Sequence, residues 1–372
     1  MDRRNFLKGS SAAAALAGTA TATAANAAKA ADDARALESP SVLSGKRTLR
    51  MVSLWAEDVT GAGDHVRRFA KRIEAASDGH LVIEVDDVPP AHDAEAFNSV
   101  MTGDADLYVG HEHAHRDMHP AFSYFAGLPC RTGLRADRFN AWLMAAGGQD
   151  LWDELAGEFN MKGLVIGHSG RSRSLFTRQP LQSRADLHGK RIAAMGLAAD
   201  VLMAVDAIPM QRTAASHTSL AADSTLDGFE AVGADIELGL QQMAGLSLNS
   251  TFAINPPLNT NGYFISLGLR RSFWDGLRNS EQLLLHALSC EAAAASHADL
   301  YAQTLFTRQL TRTFAPPPGK LNATSQANRI SIELRRIAES IVADISGHDD
   351  FAGRINASYM AFKHAARPTG TV

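Results

Sequence analysis

The chain reads as an α/β protein built in two lobes. Three observations predict this. Short apolar strand patterns alternate with amphipathic helical patterns from residue 49 onward, which is how a mostly parallel sheet covered by helices is encoded. The folded part is too long for one core: a 27-residue leader leaves 345 of the 372 residues, beyond the roughly 250–300 at which a single core stops growing. The final third is Ala-rich with helical spacing, so long helices complete the fold.

Before the first strand lies an export leader. Arg3-Arg4 followed by Asn5-Phe6-Leu7-Lys8 matches a twin-arginine signal. Ser11 to Ala25 is Ala- and Thr-rich, with Leu16 its only bulky apolar residue. That stretch is too short and too mild to span a bilayer. Ala25-Asn26-Ala27 is a cleavage site of the A-x-A kind, with Ala22-Thr23-Ala24 and Ala28-Lys29-Ala30 as rivals. Residues 1–27 are therefore read as a signal peptide and 28–46 as a flexible tether. The expected location is the periplasm, reached by the folded-export route.

The first strand is Leu49–Trp55, which alternates apolar and polar residues. Asp64–Ala76 places Val66, Phe69, Ala70 and Ile73 on one helical face and ends at Asp78-Gly79. Leu81–Val85 is the second strand, Glu95–Met101 a helix closing at Gly103, and Ala105–Gly110 the third strand. Phe139–Phe159 forms a helix pair broken at Gly147-Gly148, and Leu164–Ile166 is a strand. Lys190–Ala193 opens the second lobe, followed by a helix over Ala198–Val205, a short strand at Ile208–Met210 and a helix over Leu220–Thr225. Phe264–Leu269 returns as a strand. Ser280–Arg312 and Ser325–Phe362 are long helical stretches separated by Pro316-Pro317-Pro318-Gly319.

Composition narrows the function classes. The formal net charge is −4, and −6 once the leader is removed. A mildly acidic chain without a basic block is a poor nucleic-acid binder. No segment after the leader is apolar over the 18 or so residues that a spanning helix needs. Cys130 and Cys290 lie 160 positions apart beside apolar residues and read as two buried free thiols. No zinc or iron–sulfur spacing is present.

Few motifs carry chemistry. His111-Glu112-His113-Ala114-His115 matches the zincin pattern H-E-x-x-H, which needs a helix to bring both histidines to one face. Here it follows a strand end and runs into His119-Pro120, so a polar histidine-rich loop is the plain reading. In an extended loop His111, His113 and His115 would share one side, which leaves ligand contact and transition-metal binding open. No nucleophile elbow, dinucleotide fingerprint or Walker loop occurs. Gly167-His168-Ser169-Gly170 is a turn after a strand, able to offer N–H groups to an anion or simply to reverse the chain. Arg171 and Arg173 follow at alternate positions. In an extended stretch they point the same way, and one could fork onto a carboxylate. Solvated surface arginines are the ordinary alternative.

An ordered set of motifs goes further. Pro120-Ala121-Phe122, Phe125, Leu128-Pro129, Asn140-Ala141-Trp142-Leu143 and Leu151-Trp152-Asp153-Glu154-Leu155 occur in sequence. They are followed by Gly167-x-x-Gly170, Asp186-Leu187-x-Gly189, Gly196, Ile208-Pro209 and Leu226-Asp227-Gly228-Phe229-Glu230. In that order and spacing, from about Met51 to about Leu310, they resemble the solute-binding subunit of a tripartite ATP-independent periplasmic (TRAP) transporter. This is the DctP family, and the chain is most similar to its 2-oxo-acid-binding branch. The resemblance implies a two-lobed periplasmic binding protein (type II-like), with crossing strands, a long bridging helix and C-terminal helices. Residues 47–170, completed by part of 264–310, would form the first lobe, 171–263 the second, and 280–372 the bridging and C-terminal helices. It implies no catalysis. A small organic acid would be captured in the inter-lobe cleft and delivered to an ion-gradient-driven membrane permease, by a monomer or a homodimer.

The chain departs from that family at the cleft. The carboxylate-binding arginine expected three residues before Gly196 is Ala193. Arg191, two residues earlier, is on the same strand face. The branch's glutamine and tryptophan positions hold Ser172 and Ala231, while Glu230, which in that branch helps hold a ligand-bridging cation, is retained. The substrate-binding set carried forward is Trp55, His111, Arg171, Arg173, Arg191 and Glu230. Either Arg173 or Arg171 supplies the missing positive charge or the ligand is not a simple carboxylate, and Glu230 is the one candidate metal ligand. The competing function class is a periplasmic metal-binding protein or metallohydrolase using the His111–His119 segment.

Overall fold

The computed structural model describes residues 46–55, 62–86, 93–210, 220, 223–232, 252–254, 258–314 and 325–366. The leader and nearly all of the tether lie outside the described residues.

Two five-stranded sheets organise the chain, one in each lobe. The first contains β1 (Arg47–Ser53), β2 (Leu81–Val85), β3 (Leu107–Gly110), β4 (Met161–His168) and β10 (Phe264–Arg270), in the order β2-β1-β3-β10-β4. The second contains β5 (Ser172–Thr177), β6 (Arg191–Ala193), β7 (Ile208–Met210), β8 (Gly228–Val232) and β9 (Phe252–Ile254), in the order β7-β6-β8-β5-β9. Pairing is mixed where the sequence predicts mostly parallel strands. β1 is parallel to β2 and β3, and β6 to β7 and β8. β10 runs antiparallel to β3 and β4, and β5 antiparallel to β8 and β9. The reason is topological. The chain passes between sheets from β4 to β5 and returns from β9 to β10, and a strand entering from the other lobe needs no crossover helix. β8 and β9, five and three residues long, were not expected from the sequence pattern.

The helices are α1 (Ala62–Ala76), α2 (Asp93–Thr102), α3 (Ser123–Ala126), α4 (Ala136–Ala145), α5 (Gly148–Gly157), α6 (Leu197–Met203), α7 (Arg271–Asp275), α8 (Asn279–Phe314), α9 (Ser325–Ser346) and α10 (Asp350–Ala365). The predicted face of α1 is the buried one: Val66, Phe69, Ala70 and Ile73 all point inward. The α4–α5 break falls at Gly147, which adopts φ 80°. Two helical expectations are corrected. The stretch expected as one helix over 325–362 is two, because Asp349 caps a new one through its side chain to Ala352 N at 2.6 Å. Residues 223–225 turn rather than end a helix, since the Asp223 carboxylate accepts from both the Thr225 N–H and its hydroxyl.

α9 binds the lobes together. Ile330, Leu334 and Ala338 pack in the second lobe's core, while Val342 and Ile345, nearer its C-terminal end, pack in the first. α8 runs 36 residues along β4 and α1, about 54 Å at 1.5 Å per residue. Cys130 and Cys290 are both free, with Cys290 only half-buried. No helix among the described residues is long and apolar enough to cross a membrane.

A buried polar network sets the end of β3. Gly268 on β10 is the cross-strand partner of Tyr108, and any Cβ at Gly268 would overlap the Tyr108 ring. The ring therefore lies flat across the glycine. Its hydroxyl donates to Glu112 Oε1 at 2.9 Å, and Ser266 Oγ donates to the same oxygen at 2.6 Å. His115 Nδ1 sits 3.2 Å from Oε2. Burial alone would push the Glu112 carboxyl up, but the adjacent His115 and the three hydrogen bonds carry it below the usual carboxylate range. Residues 112–115 are thereby wound into a 3-10 turn directly after the strand.

Removing one member of such a buried charged set costs about 3–5 kcal/mol, because its partners stay buried. Glu112→Ala should lower stability by that amount, read from the urea midpoint at pH 7. A loss below about 1 kcal/mol, the size of an ordinary substitution, would show that the network does not hold the turn.

Candidate functional site

The ends of β1, β3 and β6 meet at a seam between the lobes. His113 and Arg116 come from the 3-10 turn of the first lobe, and Gly196 and Asp200 from the start of α6 in the second. Gly196 has φ +58°, and a Cβ there would overlap the His113 ring. The three ring atoms it would meet are equally close, so the glycine lies on the imidazole face. Arg116 Nη1 donates to the Gly196 carbonyl at 3.2 Å and pairs with the Asp200 carboxylate.

His113 is 5 % exposed. Its ring donates to the Gly127 carbonyl, while burial, and then the charges of His111 and Arg116, push its pKa well below the usual histidine value. The ring is therefore neutral. Its remaining nitrogen, Nδ1, has no hydrogen-bond partner. His111, at 1 % exposure, leaves both ring nitrogens unpartnered. Its ring centroid lies 6.3 Å from Trp55, 5.5 Å from Tyr263 and 6.0 Å from His113. The nearest carboxylate, Asp93 Oδ2, is 3.7 Å from Nε2, beyond hydrogen-bond length. Burial lowers the His111 pKa against the pull of Asp93. A buried polar wall without partners is costly in a sealed core and is what a ligand-facing surface requires.

The second element is the crossover. Ser169 and Tyr263 pair where the two connecting segments run side by side: Ser169 N donates to the Tyr263 carbonyl at 2.9 Å, and Tyr263 N donates to Ser169 Oγ at 2.8 Å. Gly262, at φ +73°, lies against the Gly170 carbonyl. Just beyond, on β8, Glu230 is 5 % exposed. Its Oε1 accepts from Asn259 N at 2.6 Å and its Oε2 from Asn259 Nδ2 at 2.8 Å. Ser172 and the Leu258 N–H also donate to it. Burial outweighs these donors and pushes its carboxyl up to about 7.

The residues singled out from the sequence fall into separate groups. Trp55 and His111 are brought together on one wall, with Trp55 also part of the first lobe's core. Arg171 is exposed in the crossover beside Ser172. Arg173 follows on β5, and its side chain lies outside the described residues, as does that of Ala231. Glu230 sits under the crossover. Arg191 opens β6 at its exposed end, with Nη2 3.9 Å from Met210 Sδ, on the far side of Ala193 from Gly196.

The metal reading of the histidine segment is corrected. His111 is extended at φ −134°, ψ 143°, and only four residues follow in the turn. His115 points into the core instead, with its ring 4.2 Å from Phe97 and its nitrogen on Glu112. His111 and His115 thus face different ways, and the histidines do not share one side as an extended loop would place them. Among the described residues, the three groups within mutual metal-ligand reach are His119, His348 and Asp349. There His119 Nε2 is already 2.9 Å from Asp349 Oδ2, and its Nδ1 accepts from Ala121 N, so the arrangement works as a helix cap.

Arg116, Asp200, Asn259 and Tyr263 were not legible as candidate-site residues, whereas His113 was named within the histidine loop. His113 had a signal in its repeated histidine pattern, and Gly196 had one as a motif glycine. Asn259 had none, because its role depends on β8 lying beside the crossover.

Comparison with known proteins agrees with this geometry. A TRAP periplasmic solute-binding protein from Pseudoalteromonas atlantica T6c, with bound sodium and pyruvate, superposes with a TM-score of 0.74 at 19% identity, covering 87% of this chain and 95% of that one. One from Colwellia psychrerythraea, with bound calcium and pyruvate, gives 0.73 at 17% identity over 87% and 95%. A third from Bordetella bronchiseptica RB50, with copurified calcium and picolinate, gives 0.73 at 18% identity over 86% and 93%. At these identities the likeness establishes the two-lobed fold. Residues 52–304 match the model of the DctP family, described as bacterial extracellular solute-binding protein, family 7. That span is well over half the chain, and the chain belongs to bacterial extracellular solute-binding protein family 7.

Proposed function

We propose that the chain is the solute receptor of a TRAP transporter. It captures a small organic acid between its lobes and delivers it, chemically unchanged, to an ion-gradient-driven membrane permease. The observation that carries the reading is the unpartnered wall: three imidazole nitrogens of His111 and His113, buried beside Trp55 and Tyr263 and closed over by Gly196 of the other lobe. Relatives of the same fold hold pyruvate, and another from Bordetella pertussis binds pyroglutamic acid. The leader fits export to the periplasm through the twin-arginine route. We take 47–170, completed by part of 264–310, as the first lobe and 171–263 as the second. Arg171 and Arg173, next to that crossover, supply the positive charge that Ala193 lacks.

Two of the compared structures hold a cation with their pyruvate. Here the groups at Glu230 do not fit one. Calcium takes six to eight oxygen ligands, whereas both Glu230 oxygens already accept from Asn259, and the further contacts come from Ser172 and the Leu258 N–H. We read Glu230 as the tie between β8 and the crossover, and we derive no cation step.

A thermal-shift screen of oxo acids, hydroxy acids, sugar acids and neutral controls, run with and without EDTA, tests the function. A true solute at a hundred times its Kd adds about 2.7 kcal/mol, and NMR should recover it unchanged. A shift with neutral compounds alone would reject the organic-acid reading. Gly196→Ala should weaken that solute at least about tenfold by wedging the seam. Small-angle scattering should then show no compaction on addition of solute, and an unchanged affinity would mean that the seam does not form around it. Glu230 gives a pH signature. Its folded pKa of about 7 lies above the ordinary 4.5, so its contribution is present below about 4.5 and is lost as pH rises through 7. Glu230→Gln should therefore gain on the wild type by about 3 kcal/mol between those limits, as measured by urea unfolding at pH 4.5 and 7.5. A constant difference across that range would refute the shift.

A further inference from the structure

Each of the two rings presents one unpartnered acceptor, and this restricts the solute. A neutral imidazole has one N–H and one lone pair. The His113 proton is committed to the Gly127 carbonyl, so its unpartnered Nδ1 carries the lone pair. The face of that ring is covered by Gly196, but the lone pair lies in the ring plane, clear of the glycine. His111 presents one further acceptor whichever of its two unpartnered nitrogens holds the proton. No protein donor within reach satisfies either ring. Leaving a buried acceptor unmatched costs about 1–3 kcal/mol, so a bound solute that lacks a donor pays that cost and one that brings a donor does not.

Resting on the solute-receptor reading above, we propose that His111 and His113 select a 2-hydroxy acid over the matching 2-oxo acid, with the solute's hydroxyl donating to the histidine acceptors. An ammonium group would also bring N–H donors. The Arg116 charge near His113 is paired with Asp200, and the Asp93 carboxylate lies 3.7 Å from His111 Nε2. The wall therefore separates the donor-bearing solutes from the oxo acid and not a hydroxyl from an ammonium. The 2-oxo acids lack the donor altogether, although they match a hydroxy acid in size and charge.

Isothermal titration with matched sets tests this: lactate, pyruvate and alanine, then 2-hydroxybutyrate, 2-oxobutyrate and 2-aminobutyrate, then the corresponding isovalerate compounds. In at least one set the hydroxy acid should bind about tenfold or more tighter than its oxo partner. His113→Phe should erase that ratio. His113→Asn, whose side-chain oxygen can stand near Nδ1 as an acceptor, should restore part of it. Circular dichroism of each variant confirms folding, and the ratio within each set is the readout. If the oxo member binds as tightly as the hydroxy acid, or if His113→Phe keeps the ratio, the donor requirement is wrong while the receptor reading stands. If no carboxylate in any set binds, and none does in the broader thermal-shift screen, the receptor reading itself fails and this inference fails with it.

Discussion

One buried carboxylate governs the geometry of the cleft. Glu112 accepts from Tyr108 and Ser266 and pairs with His115, in a position that would be untenable for an unpaired charge. Those three partners come from β3, β10 and the turn itself, so satisfying them winds residues 112–115 tightly against the sheet end. That winding turns His115 inward to Phe97 and leaves His113 against Gly196 of the other lobe, with His111 beside Trp55 and Tyr263. A shared turn thus serves two environments: the inner half completes the first core, and the outer half is a polar wall.

The second constraint is the double crossover. The connecting segments are paired through Ser169 and Tyr263, which couples the two sheets at one line. Glu230 reinforces that line from the second lobe by gripping both the backbone and the side chain of Asn259. α9 reaches across from the opposite side, with residues in each core. The seam at Gly196 and the Arg116–Asp200 ion pair then close the front.

The two sequence-level errors with most consequence share a cause. The H-E-x-x-H match fails because its histidines would need a regular helix, whereas Ser266, 154 positions away, draws Glu112 into the sheet and leaves only a short turn. The mostly parallel sheet fails because β5 and β10 each enter from the other lobe. In both cases a distant strand overrides a local pattern. The split of the last helical stretch at Asp349 was in principle visible from Gly347 and the Asp cap, but an unbroken Ala-rich period masks a break that only one capping bond produces.

The amino-acid sequence alone determined what depends on near neighbours: the α/β alternation, the buried face of α1, the glycine break at 147, the long C-terminal helices and, through an ordered series of motifs, the family. Those features repeat over a few residues, so they can be read without knowing the fold. Which histidines face the cleft, which carboxylate is tied to Asn259 and where Arg191 ends up were decided only by tertiary structure. Each depends on a partner brought close by the fold across 19 to 154 positions. The departure at Ala193 shows the same division. The sequence reveals that the expected arginine is missing, and only the folded seam shows that neutral imidazoles line the wall that faces Gly196.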